Sequence, residues 1–241
     1  MNDDYKEHPA GLRPARVVGR CAEGALLLAG VAWAARAVWQ VRLSLTGEPA
    51  SGPPDQGNGV HRKLTGLEDS YHIVSALGDG AALLCVLVFL SWLWRVRDNA
   101  RAFSGEPPRY AGIWVYVGWV LPVANLWVPR GIVVDVHQKT APGRPLPLSV
   151  NVWWGLWLAG MLSGVGLMYK DSTDEVIERA YTEVWPLLAC EAAVVAAAVA
   201  GVFVVRAVTA AQDQRMASGT GGPGNGAGAG TESVASGRPR G

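Results

Sequence analysis

The sequence predicts an all-α integral membrane protein with four transmembrane helices and one broken helical segment that is re-entrant or interfacial. Half of the 241 residues are hydrophobic, and the mean hydropathy is +0.17. Four apolar blocks are each long enough to cross a bilayer, which requires roughly 20 mostly apolar residues. A further apolar stretch, residues 111–136, contains two prolines and an asparagine, which an uninterrupted helix does not need.

These blocks divide the chain into three regions. Residues 1–20 form a charged N-terminal flank, residues 211–241 form a Gly/Ala/Ser-rich tail, and residues 21–210 form the membrane domain between them. The four predicted spans are residues 21–43, 72–94, 150–169 and 184–205. The tail has almost no large apolar side chains to offset the entropy of ordering, so we expect it to be disordered.

The distribution of charge predicts the orientation in the membrane. Arginines cluster before the first span, after the second and after the fourth, whereas acidic residues dominate segment 170–183. Because Lys and Arg are enriched in cytoplasmic flanks, both termini are expected in the cytoplasm. If the broken segment returns to the side from which it enters, or lies along the interface, the charge of every flanking segment agrees with this orientation. The alternative, a complete crossing by residues 111–136, inverts the last two spans.

The broken segment is the first candidate site, and it comprises Trp119, Pro122, Asn125, Trp127 and Pro129. Each proline removes a backbone donor, and the carbonyls that lose their partners need new ones in hydrocarbon. The asparagine amide can donate two hydrogen bonds, and the two tryptophans are expected at the level of the lipid headgroups. The motif either shapes the helix bundle or binds a ligand or partner.

Three charged residues in different spans form the second candidate site. Arg36, Asp79 and Glu191 each lie about 10 Å below the outer boundary at 1.5 Å rise per residue. Ionisable groups at such a depth usually face the bundle and pair with one another. A structural ion cluster is one interpretation, and a polar pocket for an ion, a proton or a small ligand is another. The third is that the side chains extend outward to the interface.

Gly160 and Gly164 form a G-x-x-x-G motif on the third span. Small residues at this spacing allow two helix backbones to approach closely. We expect this face to pack against the alanine-rich fourth span. Formation of a homodimer is the alternative.

Several classes of function lack a sequence signature. No metalloprotease, hydrolase or P-loop motif is present, and the three cysteines have no metal-binding spacing, so no enzyme activity, cofactor or metal is predicted. The net charge of +1 and the lack of a basic stripe argue against a nucleic-acid partner. The expected partners are the lipid bilayer and either another protein or a second copy of the chain.

The chain also resembles a bacterial, largely actinobacterial, membrane family called domain of unknown function 4328. Three motifs carry the resemblance: the helix end at residues 89–100, the pattern Pro-x-x-Asn-x-Trp-x-Pro at residues 122–129, and the tryptophan-rich opening at residues 153–158. Arg130 and Gly131 depart from the bulky residues expected there. The resemblance implies a multi-pass membrane protein and no assigned activity.

Together these features predict a non-enzymatic membrane component that binds a protein or lipid partner. The alternative is a small transporter or channel-like protein that uses the polar break between Pro122 and Pro129.

Overall fold

The computed structural model describes residues 12–162 and 172–220, with side chains described as far as residue 218. Within these ranges the chain forms α-helices joined by loops and one 3₁₀ turn, with no β-strand, so the all-α prediction is confirmed. The elements are α1 (Arg16–Thr46), α2 (Gly66–Ser104), α3 (Trp114–Val120), the 3₁₀ turn (Ala124–Leu126), α4 (Val128–Thr140), α5 (Leu148–Leu162), α6 (Thr173–Thr182) and α7 (Val184–Thr220).

Three helices are long and apolar enough to cross a membrane. They are α1 with 31 residues, α2 with 39 residues and the part of α7 from Val184 to Ser218 with 35 residues. Helix α5 is apolar but has 15 described residues, and the predicted end of its span at residue 169 lies outside the described ranges. Each of the three is longer than the roughly 20 residues that cross the hydrocarbon of a bilayer.

Helix α1 packs along both α2 and α7, and α5 also packs on α7. Small residues permit these contacts: a Cβ atom on Gly19 would come within 2.9 Å of Thr209, and one on Gly201 within 3.3 Å of Trp153. The outward faces remain apolar, as Leu77 (68% exposed) illustrates on α2. A soluble protein rarely exposes such continuous apolar surface, so these helices are compatible with a membrane location.

Helix α7 extends to Thr220, ten residues beyond the boundary at which the tail was expected to begin. The last turns of α7 are polar, and hydrogen bonds to α2 and α4 hold them in place. The buried side chain of Gln212 donates to the Val96 carbonyl at 2.7 Å, and Arg215 donates to the Lys139 and Thr140 carbonyls at 3.0 and 2.8 Å. Hydropathy alone misses this extension because tertiary hydrogen bonds hold it. The rest of the predicted tail lies outside the described residues.

Helices α3 and α4 and the 3₁₀ turn between them form a hairpin, called here the hairpin (residues 114–140). Helix α3 ends before Pro122, because the residue preceding a proline disfavours helical backbone, and Leu121 is extended with ψ 117°. Pro129 lies in the first turn of α4, where a missing N–H costs nothing. A Cβ atom on Gly118 would come within 2.8 Å of Val128, so this glycine permits the close approach of the two arms.

The two ends of the hairpin lie side by side. The backbone N–H of Arg109 donates to Asp135 Oδ2 at 3.2 Å, and the Tyr110 ring occupies the space that a side chain on Gly131 would need. The chain therefore enters and leaves this segment at the same end of the bundle, which is the geometry of the returning alternative.

Candidate functional site

The hairpin borders an open cleft of about 520 Å³, called here the hairpin cleft. Its lining is almost entirely apolar and comes from both arms of the hairpin, from the turn and from Tyr110 in the preceding loop. The lining residues are Tyr110, Trp114, Leu121, Pro122, Val123, Ala124, Trp127 and Val128. Two residues of the predicted site, Pro122 and Trp127, therefore line a cavity.

Trp119 holds the hairpin to the helix bundle. Its ring centroid lies 5.9 Å from that of Phe89, 5.7 Å from that of Trp157, and 6.2 and 6.4 Å from those of Trp153 and Trp154. Edge-to-face and tilted packing at such distances stabilises aromatic pairs. The ring therefore packs into an aromatic cluster between α2 and α5, and its expected depth at the lipid headgroups stays a prediction.

Trp127, the second expected anchor, differs from Trp119 in its surroundings. Its side chain is 53% exposed and borders the cleft. An exposed indole on a segment that also exposes Val123 (65%) can reach the surrounding lipid. The two tryptophans of one motif thus have different structural roles.

Asn125 is buried with 3% exposure, but it does not bind the carbonyls that the prolines leave without donors. Its Nδ2 atom lies 3.1 Å from Met161 Sδ on α5, a weak acceptor. The Leu126 carbonyl accepts a hydrogen bond from Trp154 Nε1 at 3.3 Å, which ties the turn to α5. The carbonyls that lose their helical donors to Pro122 and Pro129 are those of Gly118 and Asn125, so neither the Asn125 amide nor this indole supplies them.

The structure brings together two members of the predicted ion cluster. Arg36 Nε lies 3.2 Å from Glu191 Oε1, and the two side chains are 12% and 1% exposed. The Arg36 guanidinium also lies over the rings of Trp33 and Tyr71, at 5.1 and 5.9 Å from their centroids. Asp79 is exposed on α2 and forms no ion pair within the described part of the chain. The ion pair itself thus joins α1 to α7, and α2 contacts Arg36 through Tyr71 rather than through Asp79.

The glycine motif can be placed in part. Gly160 faces α7, where an added Cβ would come within 2.9 Å of Val194 Cγ2, and its carbonyl lies 3.2 Å from Cys190 Sγ. This contact agrees with close packing of α5 on α7. Gly164 lies outside the described residues.

A third polar cluster, missed in the sequence, closes the opposite end of the bundle from the hairpin. Glu68 is fully buried and accepts hydrogen bonds from both terminal nitrogens of Arg62 at 2.8 and 2.6 Å. It also accepts from the Thr65 backbone at 2.7 Å and from the Tyr181 hydroxyl at 3.2 Å. This cap joins the loop before α2 to α6. The pattern Thr65-x-x-Glu68 is a capping box and was the available sequence signal.

Glu68 lies four residues before the predicted span at residues 72–94, so the cap is outside the predicted membrane-spanning segments. The hydrogen bonds from Arg62 lower the pKa of Glu68 to about 2 against the opposing effect of burial. Burial and the adjacent carboxylate raise the pKa of Tyr181 to about 12. Glu68 therefore remains ionised and Tyr181 remains protonated at neutral pH.

We expect the cap to weaken in acid. Because the pKa of Glu68 is depressed from 4.5 in the folded protein, its stabilisation is complete above about pH 4.5 and is lost as pH falls toward 2. Glu68→Gln should lower the unfolding free energy by about 2 kcal/mol at neutral pH and reduce the acid dependence. Thermal unfolding in detergent across this pH range measures both effects. Glu178→Gln, an exposed acid on α6, is the control, and equal acid dependence in wild type and Glu68→Gln would contradict the assignment.

One comparison with known proteins gives a match. The family model described as Domain of unknown function (DUF4328) matches residues 62–210, which is more than half of the chain. The matched region includes the cap, the hairpin and most of α7, and it begins after α1. No curated protein and no solved structure matches the chain.

Proposed function

The chain belongs to this family of unknown function, and on that premise we propose that it is a non-enzymatic, multi-pass membrane protein that binds a lipid acyl chain in the hairpin cleft. The observation that supports the proposal is the apolar lining of an open cavity of about 520 Å³. Such volumes are typical of ligand sites. In a bilayer the molecules that meet an open apolar cleft are acyl chains.

The lining also distinguishes the proposal from a transporter or channel. A path for ions or polar solutes needs polar groups or backbone carbonyls along its wall. The wall of the cleft is almost entirely apolar. The buried amide of Asn125 lies against Met161 and does not line the cleft. A binding role for lipid therefore agrees better with the geometry than transport does.

We propose four spans with both termini in the cytoplasm, the third of which begins in α5. The hairpin then enters the membrane from the cytoplasmic leaflet. Helix α3 has seven residues and is about 10 Å long at 1.5 Å rise per residue. The tip of the hairpin, residues 121–127, would therefore lie among the upper acyl carbons of the cytoplasmic leaflet.

Cysteine accessibility tests this topology. In a background without the native cysteines, single cysteines at Ala102 and Gln138 should react only from the cytoplasmic side, and those at Ser51 and Ser172 only from outside. All four positions are exposed, whereas Thr140 is buried and unsuitable as a reporter. Reaction of Gln138→Cys from outside together with Ser172→Cys from the cytoplasm would show that the hairpin region crosses the membrane.

Filling the cleft tests the binding function. We expect Ala124→Phe to reduce photolabelling of residues 121–127 by about tenfold when the protein is reconstituted with a phospholipid that carries a diazirine in its acyl chain. Ala124 is 8% exposed and lines the cleft, so the added ring would occupy the space of the acyl chain. A loss of about 1.4 kcal/mol in affinity corresponds to this factor. Peptide mapping by mass spectrometry provides the measurement.

Val120→Phe is the matched control, because Val120 is 68% exposed on the same hairpin and does not line the cleft. It should label as wild type does. Equal labelling of Ala124→Phe and Val120→Phe, with both proteins folded, would refute acyl binding in the cleft.

A further inference from the structure

Two arginines lie beside Tyr110, a residue that lines the hairpin cleft. Tyr110 lines the cleft, and its ring fills the space beside Gly131, the residue that follows Arg130. The Arg109 guanidinium lies over the same ring, 5.7 Å from its centroid. One of the two arginines, Arg109, therefore lies in the loop before the hairpin. The other, Arg130, lies in the first turn of α4, next to the glycine that Tyr110 contacts.

Arg130 lies at the level where the predicted spans begin. Its Nε and Nη2 atoms donate to Asn151 Oδ1 at 3.1 and 2.7 Å, and Asn151 is the second residue of the predicted third span. The cytoplasmic ends of the first and fourth spans are joined by a 2.8 Å ion pair between Glu23 and Arg206. In the proposed topology, this level corresponds to the depth of the lipid phosphates on the cytoplasmic side.

The charges around this end of the cleft are unbalanced. Asp135 has Lys139 at 3.7 Å and accepts from the Arg109 backbone N–H at 3.2 Å. Neither the Arg109 nor the Arg130 guanidinium pairs with a carboxylate among residues 12–162 and 172–220. A guanidinium offers two parallel N–H donors that fit phosphate oxygens, and Asn151 already holds Arg130 in one orientation. The Arg109 guanidinium and the remaining N–H groups of Arg130 are therefore free of carboxylates and can bind an anionic group near this end of the cleft.

From this arrangement we infer that the hairpin cleft binds an anionic glycerophospholipid, with one acyl chain in the cleft and the phosphate at Arg130 and Arg109. The inference rests on the proposed function and adds the headgroup class. The apolar cleft accounts for the acyl chain, and the two unpaired cations favour a headgroup with net negative charge over a zwitterionic one. A free phosphate would leave the cleft unfilled.

Two photoreactive lipids test the inference on the full chain in nanodiscs. One is a phosphatidylglycerol and the other a phosphatidylcholine with the same diazirine acyl chain. We expect the phosphatidylglycerol probe to label residues 121–127 about fivefold more than the phosphatidylcholine probe, the ratio set by one basic residue near lipid phosphate. Arg130→Gln should bring the ratio close to one, and Arg130→Lys should restore part of it.

Arg144→Gln is the control, since Arg144 is an exposed cytoplasmic arginine that donates to Gln214 and does not line the cleft. It should keep the wild-type ratio. If Arg130→Gln does not fold, Arg109→Gln removes the second arginine, which is exposed, and should lower the ratio of phosphatidylglycerol to phosphatidylcholine labelling.

The outcomes separate the two proposals. Equal labelling by both probes overturns the anionic assignment and leaves acyl binding in place. Absence of labelling by either probe overturns acyl binding and this inference together. Glycerol phosphate in solution should not compete, and displacement of the phosphatidylglycerol probe by it would assign the arginines to a free anion.

Discussion

Glu191→Gln should lower the free energy of unfolding by about 3–4 kcal/mol, because it leaves Arg36 buried without its counter-ion. The two groups lie 3.2 Å apart at 12% and 1% exposure, between helices α1 and α7. Removal of one member of a buried pair costs much more than removal of both. The double variant Arg36→Met with Glu191→Leu should therefore recover most of the loss. Equilibrium unfolding in mixed detergent micelles provides the values.

Asp79→Asn is the matched control for this experiment. The sequence places Asp79 at the same depth as Arg36 and Glu191, but the structure leaves it exposed on α2 and outside the ion pair. We expect this substitution to change stability by less than about 1 kcal/mol. A larger loss from Asp79→Asn than from Glu191→Gln would show that the pairing in the membrane differs from that described here.

Trp119→Ala should destabilise the protein by about 3–4 kcal/mol, since it removes a large ring that contacts four other aromatic rings. Because those contacts tie the hairpin to α2 and α5, the substitution should also expose the hairpin to limited proteolysis near residues 121–127. Unfolding in detergent and mass spectrometry of the proteolytic fragments measure the two effects.

Trp127→Ala is the paired substitution in the same motif, and it should act differently. The side chain is 53% exposed, so its loss should cost about 1 kcal/mol or less. It borders the cleft, so photolabelling by the acyl probe should fall while the melting temperature remains near that of wild type. Equal destabilisation by the two substitutions would contradict the different roles assigned to these tryptophans.

Much of the fold could be predicted from the amino-acid sequence, because hydrophobic length and proline position act locally. Long apolar blocks produce long helices, and Pro122 ends α3 where the sequence places the break. The depth of Arg36 and Glu191 follows from counting residues along their spans. Their pairing could therefore be predicted as one of several combinations before any contact was known.

The rotation of each helix could not be predicted in this way. The sequence places Asp79 at the same depth as Arg36 and Glu191, but Asp79 is exposed, because which residues of α2 are buried depends on the face of that helix that meets α1. The same limit applies to Asn125 and Trp154. The asparagine could be predicted to need a hydrogen-bond partner, but only the packing of α5 against the hairpin places Met161 beside its amide and the Trp154 indole at the Leu126 carbonyl.

The sequence by itself therefore determined the helical class, the approximate helix positions, the break and the depth of the charges, because each depends on neighbours along one chain segment. The tertiary structure alone decided which end of the bundle receives the returning hairpin, which tryptophan is packed, and where a cleft opens. Those features arise from contacts between residues far apart in sequence, such as Tyr110 with Gly131 and Trp119 with Trp157. Their energies depend on shape and orientation, which composition and spacing do not record.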